Sequence, residues 1–377
     1  MRKIPIIKTI VIKIGSNIIT DQINGINQTF ISGLSRTISH LKKEVENIVI
    51  VSSGSVAAGF RCLGYKSKPE DIIDKQACAA VGQTRLIRLY EKEFSKNNIN
   101  VAQILLTKDD LSNRRRYLNA RYTIRRLLEH GSIPIINEND SVVVDELKYI
   151  ESFGDNDNLS ALVAGLISAD LLLVLSDVEG LFDKDPTRHA DAKLVNEVKY
   201  VNNEMLNYAG DSVSGIGTGG MKSKIKAAKK ALDSGCYVGI INGNSTENVL
   251  KFLRGEETGT FFSHIEDPKN KKKLWLAYAT IPKGDIVVDD GAVKAVSINK
   301  KSLLPSGIVD VSGKFGIGDV VRIVNENKEE IGRGKVRYSH FDLKKIMGRK
   351  TTEIYDILGY KFSDEVIHRD DMVLEII

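Results

Sequence analysis

Six short segments of this chain combine glycine, lysine, carboxylate and amide side chains in ways that suit the handling of anions. The first is Lys13-Ile14-Gly15-Ser16-Asn17. A lysine followed by a glycine turn at the end of a strand makes a phosphate site, because the glycine lets backbone N–H groups approach and the ammonium adds a point charge. It lacks the spacing of a Walker A loop. A solvated lysine beside a turn is the competing reading. The second segment, Ser52-Ser53-Gly54-Ser55-Val56-Ala57-Ala58-Gly59, is small enough for a carboxylate or phosphate to reach the backbone. Close helix–sheet packing would explain it equally well.

Asn137-Glu138-Asn139-Asp140 places four polar side chains in a row, more than a turn requires. Gly154-Asp155-Asn156-Asp157-Asn158-Leu159-Ser160 opens a helix; one polar residue serves as the cap, which leaves the others unexplained. These carboxylates and amides suit an ammonium group, the orientation of lysines, or Mg2+ held through water. Ser176-Asp177-Val178-Glu179-Gly180-Leu181-Phe182 is another polar strand end. Finally, Gly215-Ile216-Gly217-Thr218-Gly219-Gly220-Met221-Lys222-Ser223-Lys224 has four glycines in six positions and enters a basic helix. Such a loop can wrap a polyphosphate, with Lys224 one turn into the helix.

The elements that must position these segments are legible as apolar runs. Thr9–Ile14, Ile48–Val51, Val101–Leu106, Ile133–Ile136, Leu171–Leu175 and Tyr237–Ile241 read as strands covered on both faces. Gln28–Lys43, Lys75–Lys96, Tyr117–His130, Asn158–Ser168 and Gly220–Ser234 read as helices between them. The alternation predicts a mostly parallel sheet between helical layers, with the polar segments gathered at the carboxyl edge of the strands, where open α/β sheets bind ligands. From Lys283 to Lys361 the pattern changes to short strands: Asp285–Val288, Val293–Ala295, Gly307–Val311, Val320–Val324 and Ile331–Arg337. This predicts a catalytic domain over 1–275, a small β domain over 283–361 and a tail over 362–377. The polar stretch Glu266–Lys273 is the expected hinge.

Composition narrows the classes. A chain of 377 residues exceeds one usual core, and its 42% hydrophobic and 27% charged residues are ordinary for a globular protein. An aromatic share of 6% argues against an aromatic nucleic-acid surface, and a net charge of +5 fits anionic small substrates. Three scattered cysteines, Cys62, Cys78 and Cys236, form no C-x-x-C pair, which fits a reducing compartment and neither a disulfide framework nor a zinc site. No stretch reaches the ~20 apolar residues of a membrane span, and a cytoplasmic, non-membrane enzyme is expected.

Taken together, the segments resemble the amino-acid kinase family. The matching pieces are VIKIGSN, VSSGSVAAG, KQACAAVGQ, LNARYT around Arg121, PIINEND, FGDNDNLSALVA, LSDVEGLFDKDP and AGDSVSGIGTGGMKSK. The segments INEND, GDNDN and the last point to the branch of that family that acts on glutamate. The β-rich region, ending in His368–Met372 (HRDDM), looks like a PUA domain. The resemblance implies a three-layer α/β sandwich with a β-barrel-like PUA domain, and ATP-dependent phosphorylation of the side-chain carboxylate of L-glutamate, the first step of proline biosynthesis. It implies that Lys13 and Lys224 flank the transferring phosphoryl while Asp157 orients them. Ser53, Gly54, Asn137, Asp140, Asp155 and Asn156 would bind glutamate. Gly15, Ser176, Asp177, Thr218, Gly219, Gly220, Met221, Lys222 and Ser223, with the two lysines, would bind ATP. Mg2+ would be held by phosphate oxygens and water, without a protein cage. Inhibition by L-proline and a homo-oligomer, dimer or tetramer, are also implied. Ser16-Asn17 stands where Thr-Ser is usual, Ser176 stands for Thr, and 141–153 is longer than typical. Two other readings remain: a sister kinase acting on another carboxylate, and an RNA-binding or regulatory protein. For the latter, Lys294, Lys300, Lys301, Lys314, Arg322, Arg333, Lys335 and Arg337 would form a patch, against the interspersed acidic residues.

Overall fold

The computed structural model describes residues 2–21, 25–142, 156–199, 201, 205, 220–263, 273 and 275–374. Asp155, Thr218, Gly219 and the segment 143–153 lie outside them. The chain divides into two compact units, Met1–Pro268 and Lys269–Ile377.

The first unit is built on an eight-stranded sheet. Its strands are β1 (Thr9–Ile14), β2 (Asn47–Val51), β3 (Val101–Leu106), β4 (Ile133–Glu138), β5 (Leu171–Ser176), β6 (Glu197–Val198), β7 (Tyr237–Asn242) and β8 (Thr260–Phe262). The order is β3-β4-β2-β1-β5-β7-β8-β6. The first six in that order run parallel, and β8 turns antiparallel against β7. The helices are α1 (Ser16–Ile19), α2 (Gln28–Leu41), α3 (Ser55–Gly59), α4 (Ile72–Ser95), α5 (Lys108–Ser112), α6 (Arg114–Glu129), α7 (Asn156–Ile167), α8 (Met221–Asp233) and α9 (Glu247–Leu253). The chain leaves β1 for β2 on one side, and β5 lies on the other side, so β1 sits at a topological switch point.

Period-two alternation decides which layer each strand residue meets. Ile10, Ile12 and Ile14 join Ile48, Ile50, Ile133, Ile135, Leu171, Leu173 and Leu175 in one core under α2, α4 and α9. Val11 and Lys13 therefore face the opposite layer, where α7 and α8 pack side by side. By the same parity Ser176 follows Leu172 and Val174 toward α7 and α8, while Ser52 and Asn137 follow Ile50 and Ile135 toward α4. Polar residues at strand ends are thus aimed at specific helices by the apolar residues that precede them.

The second unit holds strands β9 (Gly284–Val288), β10 (Ile308–Gly313), β11 (Val320–Val324), β12 (Glu330–Lys335) and β13 (Met372–Leu374), in the order β10-β9-β11-β12-β13. Strand β13 falls in the stretch set apart above as a tail, and it pairs with β12. The expected strand Val293–Ala295 is instead part of helix α10, Asp290–Ser297. Asp289 caps it by accepting from the Ala292 amide, and Ala292 and Val296, four residues apart, are the buried pair.

Candidate active site

Lys13, the penultimate residue of β1, is 3% exposed although it carries an ammonium. Its Nζ lies 2.5 Å from Oδ1 of Asp157, whose side chain has no exposed surface. Lys224 of α8, 6% exposed, brings its Nζ to 3.3 Å from Oδ2 of the same carboxylate. Ser223 donates its hydroxyl to that oxygen at 2.9 Å. Two ammonium groups thus share one buried carboxylate, which leaves the three side chains with one excess positive charge. Burying ions is costly unless each is paired, so Asp157 is what permits both lysines to stay at this depth.

The helix ends sharpen the field. Asp157 stands in the first turn of α7, where the dipole favours an anion. The N-terminus of α8 has no acidic residue in its first turn and no side-chain cap on Gly220. It carries Lys222 and Lys224 instead, against its own dipole, and so presents unneutralised positive potential suited to a phosphate. Lys222 is exposed and Lys224 buried, because alternate residues of this turn face opposite sides. The reading of Lys13 as a solvated lysine is excluded by its burial.

The turn after β1 lies against the end of β5. Gly15 donates its amide to the Leu175 carbonyl at 3.0 Å, and a Cβ there would stand 3.1 Å from that oxygen. Asn17 donates to Oδ2 of Asp177 at 2.7 Å, and Ser176 donates to its Oδ1 at 3.1 Å. Burial alone would raise the Asp177 pKa. Hydrogen bonds from Asn17, its own amide and Ser176, with the charge of Lys224, outweigh it and hold the carboxyl below its ordinary range.

The adjoining strand ends form a network of amides. Asn156 donates through Nδ2 to the Ser52 carbonyl at 2.8 Å, the Ser53 hydroxyl at 2.7 Å and Oδ1 of Asn137 at 3.1 Å. Buried Asn137 in turn donates to Oε1 of Gln83 on α4 at 2.9 Å. Tyr90 of α4 and Ser52 share a hydrogen bond at 3.1 Å. Ser55 donates to Asp140 at 2.7 Å. Burial pushes the Glu138 carboxyl up to about 7, helped by nearby Asp140 and opposed by Lys108. Burial also raises Asp140, against the hydrogen bond from Ser55. Two carboxyls raised in this way favour a cationic guest, since an ammonium would restore their charge.

The small-residue segment after β2 has two separate reasons for its glycines. Gly54 has φ +96°, a left-handed turn into α3. Gly59 and Gly82 let α3 and α4 cross at backbone contact: a Cβ on Gly82 would lie 1.8 Å from the Ser55 carbonyl. Packing of helix on helix, not of helix on sheet, explains that part of the motif.

The structure therefore brings together Lys13, Asp157, Ser223 and Lys224, and separately Ser53, Asn137 and Asn156; Asp140, Gly54, Gly15, Ser176 and Asp177 border these groups. Consecutive residues Asn156 and Asp157 join the two groups at the start of α7. Gly220 caps α8, and Met221 begins it. Sequence reasoning gave Gln83 and Tyr90 no part in the network, and it named Ser55 and Glu138 only as members of their polar segments. Their signal was weak: Gln83 and Asn137 are 54 residues apart, and only the parity of β4 aims one at the other.

In the second unit three arginines of the expected basic patch are neutralised locally. Arg322 makes a two-pronged pair with Asp285 at 2.6 and 2.8 Å. Arg333 pairs with Glu330 at 2.7 Å, and Arg337 lies 3.5 Å from Glu365.

A mostly parallel sheet thus carries a buried lysine–carboxylate–lysine clamp at its switch point, with an excess of positive charge that suits an anion. The sequence profile of the amino acid kinase family matches residues 8–242, and that of the PUA domain matches residues 284–358. The chain belongs to the amino acid kinase family. It is 48% identical over 368 residues to the glutamate 5-kinase of Geobacter metallireducens, covering 98% of each chain. It is 46% identical over 368 residues to that of Citrifermentans bemidjiense, again with 98% of each covered. It is 44% identical over 365 residues to that of Thermoanaerobacter sp., with 97% of each covered. Within the family it falls among the glutamate 5-kinases. Among solved structures, the T. acidophilum isopentenyl phosphate kinase product complex is similar over 67% of this chain and 99% of that one, at 18% identity and a TM-score of 0.46.

Proposed function

We propose that this chain transfers the γ-phosphoryl group of ATP to the side-chain carboxylate of L-glutamate, giving L-glutamyl 5-phosphate, the first step of proline biosynthesis. The observation that carries the reading is the buried clamp of Lys13, Asp157 and Lys224 one residue from an amide network at Asn156. The nucleophile is a carboxylate, ionised at neutral pH, so no general base is needed. Catalysis reduces to in-line positioning and neutralisation of charge on the phosphoryl oxygens. Lys13 and Lys224 flank the transferring group, and Asp157 keeps both ammonium groups fixed before ATP arrives, so little reorganisation remains for the reaction itself.

The nucleotide lies along Gly15, Ser176, Asp177 and the loop and first turn from Thr218 to Lys224. Glutamate lies on the side of Ser53, Gly54, Asn137, Asp140, Asp155 and Asn156. Its α-ammonium meets Glu138 and Asp140, whose raised pKa values fall when a cation arrives. An acetylated amine would leave those carboxyls without their partner and be rejected. Mg2+ supplies charge neutralisation on the phosphates when bound. Asp157 already faces two ammonium groups and is not free to ligate a metal, so Mg2+ would be held by phosphate oxygens and water and not by a protein cage.

The catalytic role is assigned to residues 1–275, and residues 283–361 form the PUA domain. Family membership carries finer readings: inhibition by L-proline, assembly as a homodimer or tetramer, and a cytoplasmic location. Among the described residues no helix is long and apolar enough to cross a membrane. The experiment is a trapping assay with ATP, Mg2+ and hydroxylamine, run separately with L-glutamate, aspartate and N-acetylglutamate. γ-Glutamyl hydroxamate from glutamate alone is expected. Product only from another acid moves the chain to a sister activity, and no product from folded protein refutes the reading.

A further inference from the structure

Helices α2 and α4 enclose a cleft of about 900 Å³ that no residue of the clamp or the amide network lines. Arg85, Arg88, Lys92 and Lys96 follow one another at helical spacing along one face of α4 and its C-cap, and Arg36 faces them from α2. At 1.5 Å per residue the stripe is about 16 Å long. Five cations against two carboxylates, Asp21 and Glu93, leave the lining with a net charge of +3. Glu93 is buried and already engaged, by Lys96 at 2.6 Å and by Gln28 at 3.0 Å. Among the described residues Arg36, Arg85, Arg88 and Lys92 have no carboxylate partner.

We propose that this cleft is a second anion site, one for a small molecule carrying two or more phosphate groups. Like charges at helical spacing repel, so the stripe is unfavourable until an anion fills it. Arginine forks match phosphate oxygens in pairs, which a single carboxylate could satisfy only once along so long a stripe. The volume is that of a small-molecule pocket, within roughly 300–1,000 Å³. Hydroxyls of Thr29 and Ser32 and the side chains of Ile26 and Leu89 supply the polar and apolar contacts of a non-phosphate moiety. On its buried side the same helix holds Gln83 and Tyr90 against Asn137 and Ser52, so an occupant touches the helix that supports the amide network.

Inorganic pyrophosphate titrated calorimetrically into the full chain tests this. Wild type should show two sites. The paired variant Arg85→Ala/Arg88→Ala should lose one of them, with affinity there falling about tenfold or more, while binding at the other is kept. Lys224→Ala should lose the other. Arg85, Arg88, Arg36 and Lys92 are exposed, and Arg36→Ala/Lys92→Ala is the second pair. Unchanged pyrophosphate stoichiometry and affinity in both pairs would overturn the proposal, as would a single site in wild type that only Lys224→Ala removes.

Discussion

Replacing Asp157 by asparagine keeps the shape of the side chain and removes its charge. Two ammonium groups, 2.5 and 3.3 Å from its oxygens, would then face each other in a buried space without a counterion. Each close pair is a gross attraction of about 5–7 kcal/mol at an effective dielectric constant near 20. Breaking a buried pair by removing one partner costs ~3–5 kcal/mol net. At about 2–4 °C per kcal/mol, Tm should fall by roughly 10 °C. The lysines would also relax toward water, and a displacement near 1 Å costs ~100-fold in rate. The assay is hydroxamate formation at saturating ATP and glutamate, alongside thermal unfolding with and without MgATP. We expect kcat to fall by at least ~100-fold, and the Tm gap to narrow with nucleotide, because the polyphosphate restores negative charge beside the lysines. A variant with kcat within about threefold of wild type would refute the account of Asp157 as the group that fixes both lysines.

Three further outcomes are expected. The Glu138 carboxyl sits at about 7 instead of 4.5, so its protonated form adds stability that is fully present below 4.5 and lost as pH rises through 7. Glu138→Gln should remove that dependence, about 2 kcal/mol after allowance for partial exposure, seen as a flatter Tm–pH curve; glutamate binding near neutral pH should release protons only in wild type, measured by titration in buffers of different ionisation enthalpy. Gly82→Ala drives a methyl group into the Ser55 carbonyl and should destabilise the protein by about 3 kcal/mol or more in denaturant unfolding; an unshifted midpoint would mean the crossing is looser than described. Gln83→Ala leaves the buried amide of Asn137 without its acceptor and should raise KM for glutamate about tenfold with KM for ATP unchanged; steady-state kinetics showing the reverse split would place Asn137 with the nucleotide.

Much of the fold could be read because parallel strands buried on both faces are unbroken apolar runs: all five residues 171–175 of β5 are buried. The chemistry-bearing residue types were legible for a related reason, since four polar residues following such a run exceed what a turn needs. The errors came where signals were short. Val293–Ala295 is three apolar residues, too few to separate a period of 2 from 3.6, and the deciding sign was the cap at Asp289. Helix α11 (His340–Ile346) went unread although Ser339 and Asp342 mark its start, Ser339 accepting from the Asp342 amide. Strand β8 has only three residues and takes its identity from pairing with β7. The burial of Lys13 was invisible because a lysine in isolation reads as solvated; only its parity with Val11 and the arrival of Asp157 reveal the pair.

The clamp draws on β1, α7 and α8, three elements from widely separated parts of the chain, with Asp157 and Lys224 alone 67 positions apart. During synthesis the transfer centre cannot exist until the chain has been made past Lys224 and β5 has inserted between β1 and β7. Chains that end before Asp157 would hold Lys13 on a strand flank with no counterion, and closing those long loops is the slow, entropically costly part of assembly. Recovery of activity during refolding should therefore lag behind the regain of helical signal, and would serve as a late clock for completion of the sheet.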